Sequence, residues 1–424
     1  MKQLQLHSKR LSSVCLFIFL LFTSSSLRSE TVSLKYEDLP RLVHEKSGAV
    51  QASNISIQAS QAKTGYLKRS FSPNVNVSGG AEYFKTGFYS PRAEPYGGGE
   101  VSMNLYRGGK DQLEDHYRQS EVTLSESKKE KVLRDEISQV RTLYWDLVYQ
   151  REKIRILSEL KQLNVQSVKS AQTRVQRGLT TNTDLLSMNL FAKQIQEEIE
   201  SAQHEIELLQ LALNARLGWE DKTSIQTSSQ IPHDETALSK ELPVEAPPEV
   251  KMLKAQAQLN KIESKQLSRW WTPALDVYGK SYLYTLQDRE YPELENRLDA
   301  GVGVRLSSNV FDGFQSKHDS KSQLRQAIAN ETLAAHKNKI LKNDAQLAQE
   351  EMRHLHQLIH NGQNYIGQAR VILKQTLEEY DLGLKNTQEV LAILDRLLSL
   401  KQSELQRRLE YQKTKVKLLA ILGE

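Results

Sequence analysis

The feature that most constrains this chain is an internal repeat. The segment SPNVNVSG at residues 72–79 has a counterpart in TPALDVYG at residues 272–279, an offset of 200 residues. Further along, RGLTTNTDLL at residues 177–186 matches LGLKNTQEVL at residues 382–391, and the offset is 205 residues. A repeat of this length predicts that both halves carry the same elements in the same order. The sequence therefore predicts one architecture written twice.

Each half contains stretches in which apolar and polar residues alternate. In the first half the apolar positions include Val75, Val77, Val101 and Met103, and in the second half Leu298, Val302 and Val304. A period of two is typical of strands that have one apolar face and one polar face. We expect one β-hairpin per half, at residues 73–107 and 273–312.

Long helical runs follow each predicted hairpin. They cover about residues 109–177 and 182–217 in the first half, and about residues 314–382 and 387–422 in the second. Their apolar residues recur at steps of three and four, which is the spacing of coiled coils. A shorter helical run precedes each hairpin, at about residues 35–70 and 248–271.

A glycine interrupts each pair of long helical runs, Gly178 in the first half and Gly383 in the second. Glycine adopts the left-handed backbone with which many helices end. We therefore interpret the two interruptions as turns between antiparallel helices, with tips near residues 178–184 and 383–389.

The first 29 residues have the pattern of a secretory signal. Lys2, Lys9 and Arg10 precede an apolar run at residues 14–22 and a group of serines. A run of nine apolar residues is shorter than the roughly 20 that a membrane-spanning helix needs. The mature chain is therefore expected to be exported, and since the single cysteine, Cys15, belongs to the signal, we expect no disulfide in it.

Removal of the signal also removes most of the net positive charge. The whole chain has 57 basic and 52 acidic residues, and four of the basic residues lie before residue 30, so 53 remain. This near balance gives no support to a nucleic acid partner.

The predicted strands are too few to close a barrel within one chain. An open sheet with an apolar face in lipid would leave unpaired edges, and closure needs about eight strands or more. Several chains must then contribute to one barrel, and three copies would supply twelve strands. In such a barrel the apolar set faces lipid, and the polar set lines a wet interior: Asn74, Asn76, Glu82, Glu100, Asn104, Arg297, Asp299 and Arg305.

The signal, the doubled order of helix, hairpin and two helices, the Gly-Leu interruptions and the LG near the end of each half together resemble the TolC family of outer-membrane efflux channels. The resemblance covers essentially the whole mature chain. It implies a mainly α fold with membrane β: two repeats of long antiparallel coiled-coil helices plus two β-hairpins per chain. It also implies a homotrimer, with a twelve-stranded β-barrel continued by an α-helical barrel. The repeats are expected at residues 30–222 and 248–424, with a linker at 223–247.

The resemblance further implies a function. Such a channel would sit in the outer membrane of a Gram-negative-type envelope and extend into the periplasm. It would work with an inner-membrane transporter and a periplasmic adaptor, and export small molecules such as drugs, toxic compounds or metal ions. Type I protein secretion remains an alternative, and a periplasmic coiled-coil adaptor or structural protein is a more distant one.

The same resemblance assigns roles to the two tips. Polar links between the tips hold the family's entrance closed, and the matching positions here are Asp184, Tyr380 and Lys385. Glu389 would contribute to cation selectivity, but the second acidic position of the family falls on Ala392, with Asp395 the next acid. Gly178, Leu179, Gly383 and Leu384 are expected at the contact with the adaptor.

Enzymatic residues are not evident in the sequence. The glycine-rich YGGGE at residues 96–100 enters a strand and lacks the Lys-Ser/Thr of a phosphate loop. His356 and His360 lie four residues apart on one predicted helix, without an acidic or cysteine partner at ligand spacing. We therefore expect no catalytic residue, no metal site and no cofactor.

Overall fold

The computed structural model describes residues 31–84, 92–232, 247–286 and 295–423. The predicted signal at residues 1–29 and most of the predicted linker at 223–247 lie outside these ranges. The division into repeats at residues 30–222 and 248–424 therefore stays a prediction.

Helices make up most of the described residues. A short 3-10 turn at Tyr36–Asp38 precedes eight α-helices: α1 Leu39–Lys46, α2 Gly48–Ala62, α3 Tyr66–Ser70, α4 Lys110–Gln176, α5 Asn182–Leu217, α6 Pro248–Ser268, α7 Gln315–Asp381 and α8 Thr387–Leu422. The two long pairs, α4 with α5 and α7 with α8, have matching lengths of 67 and 36 residues. No helix among the described residues is both long and apolar enough to cross a membrane.

The described ranges contain six strands in two sheets. They are β1 Thr31–Ser33, β2 Asn74–Phe84, β3 Arg92–Tyr106, β4 Ser224–Gln226, β5 Ala274–Leu286 and β6 Glu295–Ser307. Four of them form an antiparallel sheet in the order β2-β3-β5-β6, so both predicted hairpins lie side by side in it. The remaining two, β1 and β4, pair in parallel.

The predicted fold class is confirmed, with two local differences. The helical run expected at residues 35–70 is broken, because the chain turns at Gly65, whose φ of 71° is left-handed. The pairing of β1 with β4 was not predicted, because three-residue strands carry too few positions to show a period of two.

The chain divides into two compact units, and each draws segments from both halves. The first contains Met1–Leu42, Val140–His233 and Ile359–Leu409, and the second contains Val43–Gln139, Asp234–Leu358 and Glu410–Glu424. The first unit therefore holds both helix turns and the β1-β4 pair. The second holds the four-stranded sheet.

The core of the first unit is a seam of apolar side chains supplemented by buried charges. Leu147, Leu157 and Leu160 on α4 are fully buried, as expected for coiled-coil packing. Glu152, also buried, accepts a hydrogen bond from the Ile231 amide at 2.8 Å, just beyond β4. This bond ties the segment after β4 to helix α4.

In the second unit, the strand-to-helix turns of the two halves share one backbone shape. Gly108 and Gly313, at the repeat offset of 205, have φ angles of 62° and 68°. The next residues, Gly109 and Phe314, have φ angles of 74° and 64°. Phe314 is the only residue other than glycine with positive φ in the described ranges, and such a conformation is strained for a bulky residue.

Candidate functional site

The two helix turns in the first unit end their helices in the same way. The Gly178 amide donates to the Val175 carbonyl, and the Leu179 amide to the Arg174 carbonyl, both at 2.9 Å. In the second turn, the Gly383 and Leu384 amides make the corresponding bonds to Tyr380 and Glu379, again at 2.9 Å. The φ angles of Gly178 and Gly383 are 73° and 81°. These are Schellman motifs, in which a left-handed glycine satisfies the last carbonyls of a helix.

Asp184 caps the helix that follows the first turn. Its carboxylate accepts hydrogen bonds from the Thr180 hydroxyl at 2.6 Å and from the Thr181 amide at 3.2 Å. In return, the Thr181 hydroxyl accepts from the Asp184 amide, which completes a capping box at the start of α5. The bond from the Thr180 hydroxyl is the largest of several that lower the pKa of Asp184.

Glu389 has the same position in the second turn. Its carboxylate accepts from the Asn386 amide at 2.9 Å, and the Asn386 side chain accepts from the Glu389 amide at 3.0 Å. Lys385 donates to the same carboxylate at 2.8 Å, so the pKa of Glu389 is lowered and that of Lys385 is raised. Lys385 thus pairs within its own turn and not with Asp184.

Tyr380 connects the two turns. Its side chain is only 1% exposed, and the Arg174 guanidinium stacks over its ring at 4.5 Å from the centroid. Arg174 also donates to the Tyr380 carbonyl, and Ser170 beside it donates to Asp381. The ends of α4 and α7 are therefore held together by a stacked cation and two hydrogen bonds.

Thr387 is a neighbour of both Tyr380 and Asp184. The Tyr380 hydroxyl lies 3.4 Å from the Thr387 hydroxyl, and Thr387 is also the last and smallest of the causes that lower the pKa of Asp184. Of the three residues predicted for the entrance latch, Asp184 and Tyr380 thus share Thr387 as a neighbour, whereas Lys385 pairs with Glu389.

Sequence reasoning missed Arg174, Ser170 and Asp381. A cation or a serine in the last turns of a helix is ordinary, because cations are favourable near the negative end of the helix dipole. Only the fully buried ring of Tyr380 distinguishes Arg174 from the other cations near the tips. That burial could not be deduced from one sequence.

The predicted adaptor contacts lie at the surface of the turns. Leu179 and Leu384 follow the two glycines and are 63% and 72% exposed. Further along α5 and α8, a cleft of about 440 Å³ is lined by the acidic side chains Glu197, Glu198 and Asp395. Asp395 is therefore part of an acidic group, while the Glu389 carboxylate is engaged in its cap.

In the second unit, the register of the sheet separates the two predicted faces. Asn76, Glu100 and Lys280 lie directly across from one another on neighbouring strands, and so do Val75, Val101 and Gly279 on the opposite face. The described residues leave the apolar face uncovered, since Val77 and Val302 are 84% and 91% exposed. One face is thus polar and the other apolar along all four strands.

The residues predicted to line a wet interior all fall on the polar face by register. Their set comprises Asn74, Asn76, Glu82, Glu100, Asn104, Arg297, Asp299 and Arg305. Arg305 forms an ion pair with Glu100 at 3.4 Å. Asn104 is buried and donates to Asp111 at 2.8 Å, so it supports the base of the sheet. The side chain of Arg297 lies outside what the structure describes.

Comparisons with known proteins agree with this architecture. Residues 39–218 match the model of the outer membrane efflux protein family. Among solved structures, CusC shares 15% sequence identity and a TM-score of 0.77, with 95% of each chain covered. The outer membrane protein VceC of Vibrio cholerae shares 14% identity and a TM-score of 0.76, with 92% of this chain and 96% of VceC covered. The CmeC outer membrane channel of Campylobacter jejuni shares 15% identity and a TM-score of 0.74, with 92% of this chain and 85% of CmeC covered.

No curated protein sequence matches the chain. At these identities the solved structures establish the fold, and the family match rests on the first half of the sequence. That half contains the first helices, the first hairpin and the first long helix pair, in the order that the second half repeats. Residues 39–218 therefore match the outer membrane efflux protein family, and the chain as a whole has the fold of the solved outer-membrane channels.

Proposed function

We propose that this chain is the protomer of a trimeric outer-membrane channel that exports small molecules from the periplasm. It would act with an inner-membrane transporter and a periplasmic adaptor in a tripartite efflux system. The observation that carries the proposal is the four-stranded sheet, which has one exposed apolar face and one polar face, and whose edge strands β2 and β6 pair with no other strand of the described residues. Copies of the same chain would pair those edges and close the sheet.

Lipid favours this arrangement. In hydrocarbon an unpaired backbone amide or carbonyl costs several kcal/mol, so spanning sheets close on themselves. A closed barrel of three copies would contain twelve strands and turn the valine- and leucine-rich face to lipid. Drugs, toxic compounds and metal ions are the expected cargo.

The two helix turns form the entrance in this proposal. Asp184 and Tyr380, which share Thr387 as a neighbour, would keep it closed together with Arg174, whose stacking on Tyr380 holds the ends of α4 and α7. Each hydrogen bond of this kind contributes about 0.5 to 1.5 kcal/mol, so an adaptor docking on Leu179 and Leu384 could open them. Lys385 and Glu389 would then shape the second turn, and Asp395 with its acidic neighbours would favour cations near the entrance.

The channel is tested by two measurements on the mature protein. Its mass in mild detergent should be three times that of one chain, and a planar lipid bilayer should record discrete conductance steps when the protein is added. A monomeric mass together with an electrically silent bilayer would refute the proposal.

A further inference from the structure

The polar face of the sheet carries a group of tyrosines that the predicted wet interior did not include. Tyr96 on β3 lies directly across from Tyr284 on β5, and their ring centroids are 5.7 Å apart. Tyr282 is one diagonal position away, with its centroid 6.1 Å from that of Tyr96. These three residues, here called the tyrosine cluster, lie on the same face as Glu100 and Asp299.

Glycines on the neighbouring strands provide the space for these rings. The Cε1, Cζ and OH atoms of Tyr96 all lie 3.1 Å from where a Cβ of Gly80 would stand, so its phenol lies across the bare backbone of β2. The Tyr282 ring comes within 2.6 Å of the corresponding point at Gly98. Aromatic rings that cover glycines on an adjacent strand stabilise a sheet. The rings are therefore held over the backbone by the packing of this face.

A fourth tyrosine on this face shows what such a ring can hold. Tyr278 lies over Gly303 in the same way, with its hydroxyl 2.8 Å from the position of a Cβ. The Arg305 guanidinium stands over the Tyr278 ring at 4.6 Å from the centroid. The ring quadrupole attracts a weakly hydrated cation at this distance. Within the described residues, this surface already binds one planar cation by a ring that rests on glycine.

The charge of the face also favours cations. By register this face carries six acids, Glu82, Glu94, Glu100, Asp276, Glu295 and Asp299, and four bases, Arg92, Lys280, Arg297 and Arg305. The ion pair of Arg305 with Glu100 offsets one charge of each sign. An excess of carboxylates along a narrow surface raises the local concentration of cations.

We propose that the tyrosine cluster is a binding site for organic cations, namely quaternary ammonium and flat aromatic cations, on the inner face of the channel. This inference rests on the proposed function and names the class of solute that the channel would favour. A trimer would present three such clusters around one lumen. A solute would pass from ring to ring by weak contacts, each of which exchanges hydration for a ring face.

The test measures, by saturation-transfer NMR, how tightly benzyltrimethylammonium binds to the purified full-length protein in detergent. We expect the double variant Tyr96→Leu, Tyr282→Leu to bind at least fivefold more weakly, since one exposed cation–π contact contributes about 1 kcal/mol. The double variant Tyr96→Phe, Tyr282→Phe should bind within about twofold of the wild type, because phenylalanine keeps the ring face. Neutral benzyl alcohol should bind more weakly than the cation.

The matched control is Tyr83→Leu. Tyr83 lies on the apolar face of β2 and is 72% exposed, so its replacement should leave the binding of the cation unchanged. The oligomeric mass and the thermal midpoint of each variant confirm that it has folded.

Two results would overturn the inference: equal affinity of the leucine pair and the wild type, or equal affinity for benzyl alcohol and the cation. A trimer that conducts but shows either result refutes the binding site alone. A chain that neither trimerises nor conducts refutes the channel, whatever its affinity for the cation.

Discussion

At the scale of single residues, the internal repeat allows one position to be compared with its counterpart. Gly108 and Gly313 have nearly the same left-handed φ, 62° and 68°, at the same point of the two strand-to-helix turns. Their surroundings differ: a Cβ on Gly108 would stand 2.3 Å from the Thr272 Cβ, whereas a Cβ on Gly313 would meet no atom within 4 Å. Both turns thus need a left-handed backbone. Only at Gly108, in the first half, is there also no space for a side chain.

The variant Gly313→Ala should lower the free energy of unfolding by about 1 to 2 kcal/mol, the cost of a left-handed residue with a Cβ. Gly108→Ala should lower it further, because the side chain of Thr272 sits close to its own backbone and has little freedom to move. Thermal or denaturant unfolding of the two variants measures the difference. Equal losses of unfolding free energy in the two variants would mean that the Thr272 side chain moves aside at no energetic cost.

The caps of the two turns predict a dependence on pH. The pKa values of Asp184 and Glu389 are lowered in the folded chain, first by the Thr180 hydroxyl and by Lys385 respectively. A lowered carboxyl pKa contributes stability that is present above the unfolded value, about 4, and is lost as the pH falls through the folded value. The raised pKa of Lys385 has the opposite sign: its contribution is complete below about pH 10 and is lost above the folded value.

The thermal midpoint of the wild type should therefore exceed that of Asp184→Asn at pH 7, and the gap should close as the pH falls below about 4. Thr183→Ala, which alters a neighbouring side chain of the same helix end, serves as the control and should show no such closing. A gap that stays constant from pH 7 to pH 3 would mean that the carboxylate does not cap α5 by its charge.

At the scale of the elements, the helix turns illustrate what a sequence can and cannot predict. The position of each turn and its glycine could be predicted, because a left-handed backbone has a strong residue preference and the repeat shows it twice. The pairing of the polar side chains could not, because Asp184, Lys385 and Glu389 each have several partners within reach on a tip. Helix capping competes with links between the turns for the same carboxylates. In both turns the carboxylate caps its own helix.

The contact of Arg174 with Tyr380 leads to a prediction about opening. Arg174→Ala should raise the open probability of the channel in a bilayer about fivefold, since it removes a cation–π contact of about 1 kcal/mol. Arg174→Lys keeps the charge but loses the flat guanidinium that stacks on the ring, and should give an intermediate value.

Arg177→Ala is the matched control, because Arg177 lies three residues further along and is exposed. It should leave the open probability near that of the wild type. An equal effect of both alanine variants would indicate a general effect of positive charge at the tip, and the role assigned to Arg174 would be wrong.

At the scale of the whole molecule, helix α7 exposes a set of apolar side chains that the described part of the chain leaves uncovered. Leu333, Ile340 and Leu347 are separated by seven residues and are 48%, 37% and 59% exposed. A heptad spacing of exposed apolar residues is typical of a helix that packs against another helix. Sequence periodicity predicted the buried seam and the coiled coil, but a single chain cannot tell which apolar residues face its own helices and which face another copy.

In the proposed trimer, Leu347→Glu should shift the protein toward monomers, because a buried carboxylate without a partner opposes association. Gln346→Glu adds the same charge at the neighbouring exposed position and should leave the trimer intact. The mass of each variant in mild detergent distinguishes them. A trimer that persists with Leu347→Glu would place the contact between copies on another surface.

The parallel pairing of β1 with β4 bears on how the chain folds after synthesis. Thr31 pairs with Ser224, so this small sheet joins residues that are separated by an entire long helix pair and a hairpin. Pairings between such distant residues form slowly, because a large loop must close before any bond is gained. The strand β1 therefore stays unpaired at least until β4 has been synthesised. During that interval a protease has access to the unpaired strand.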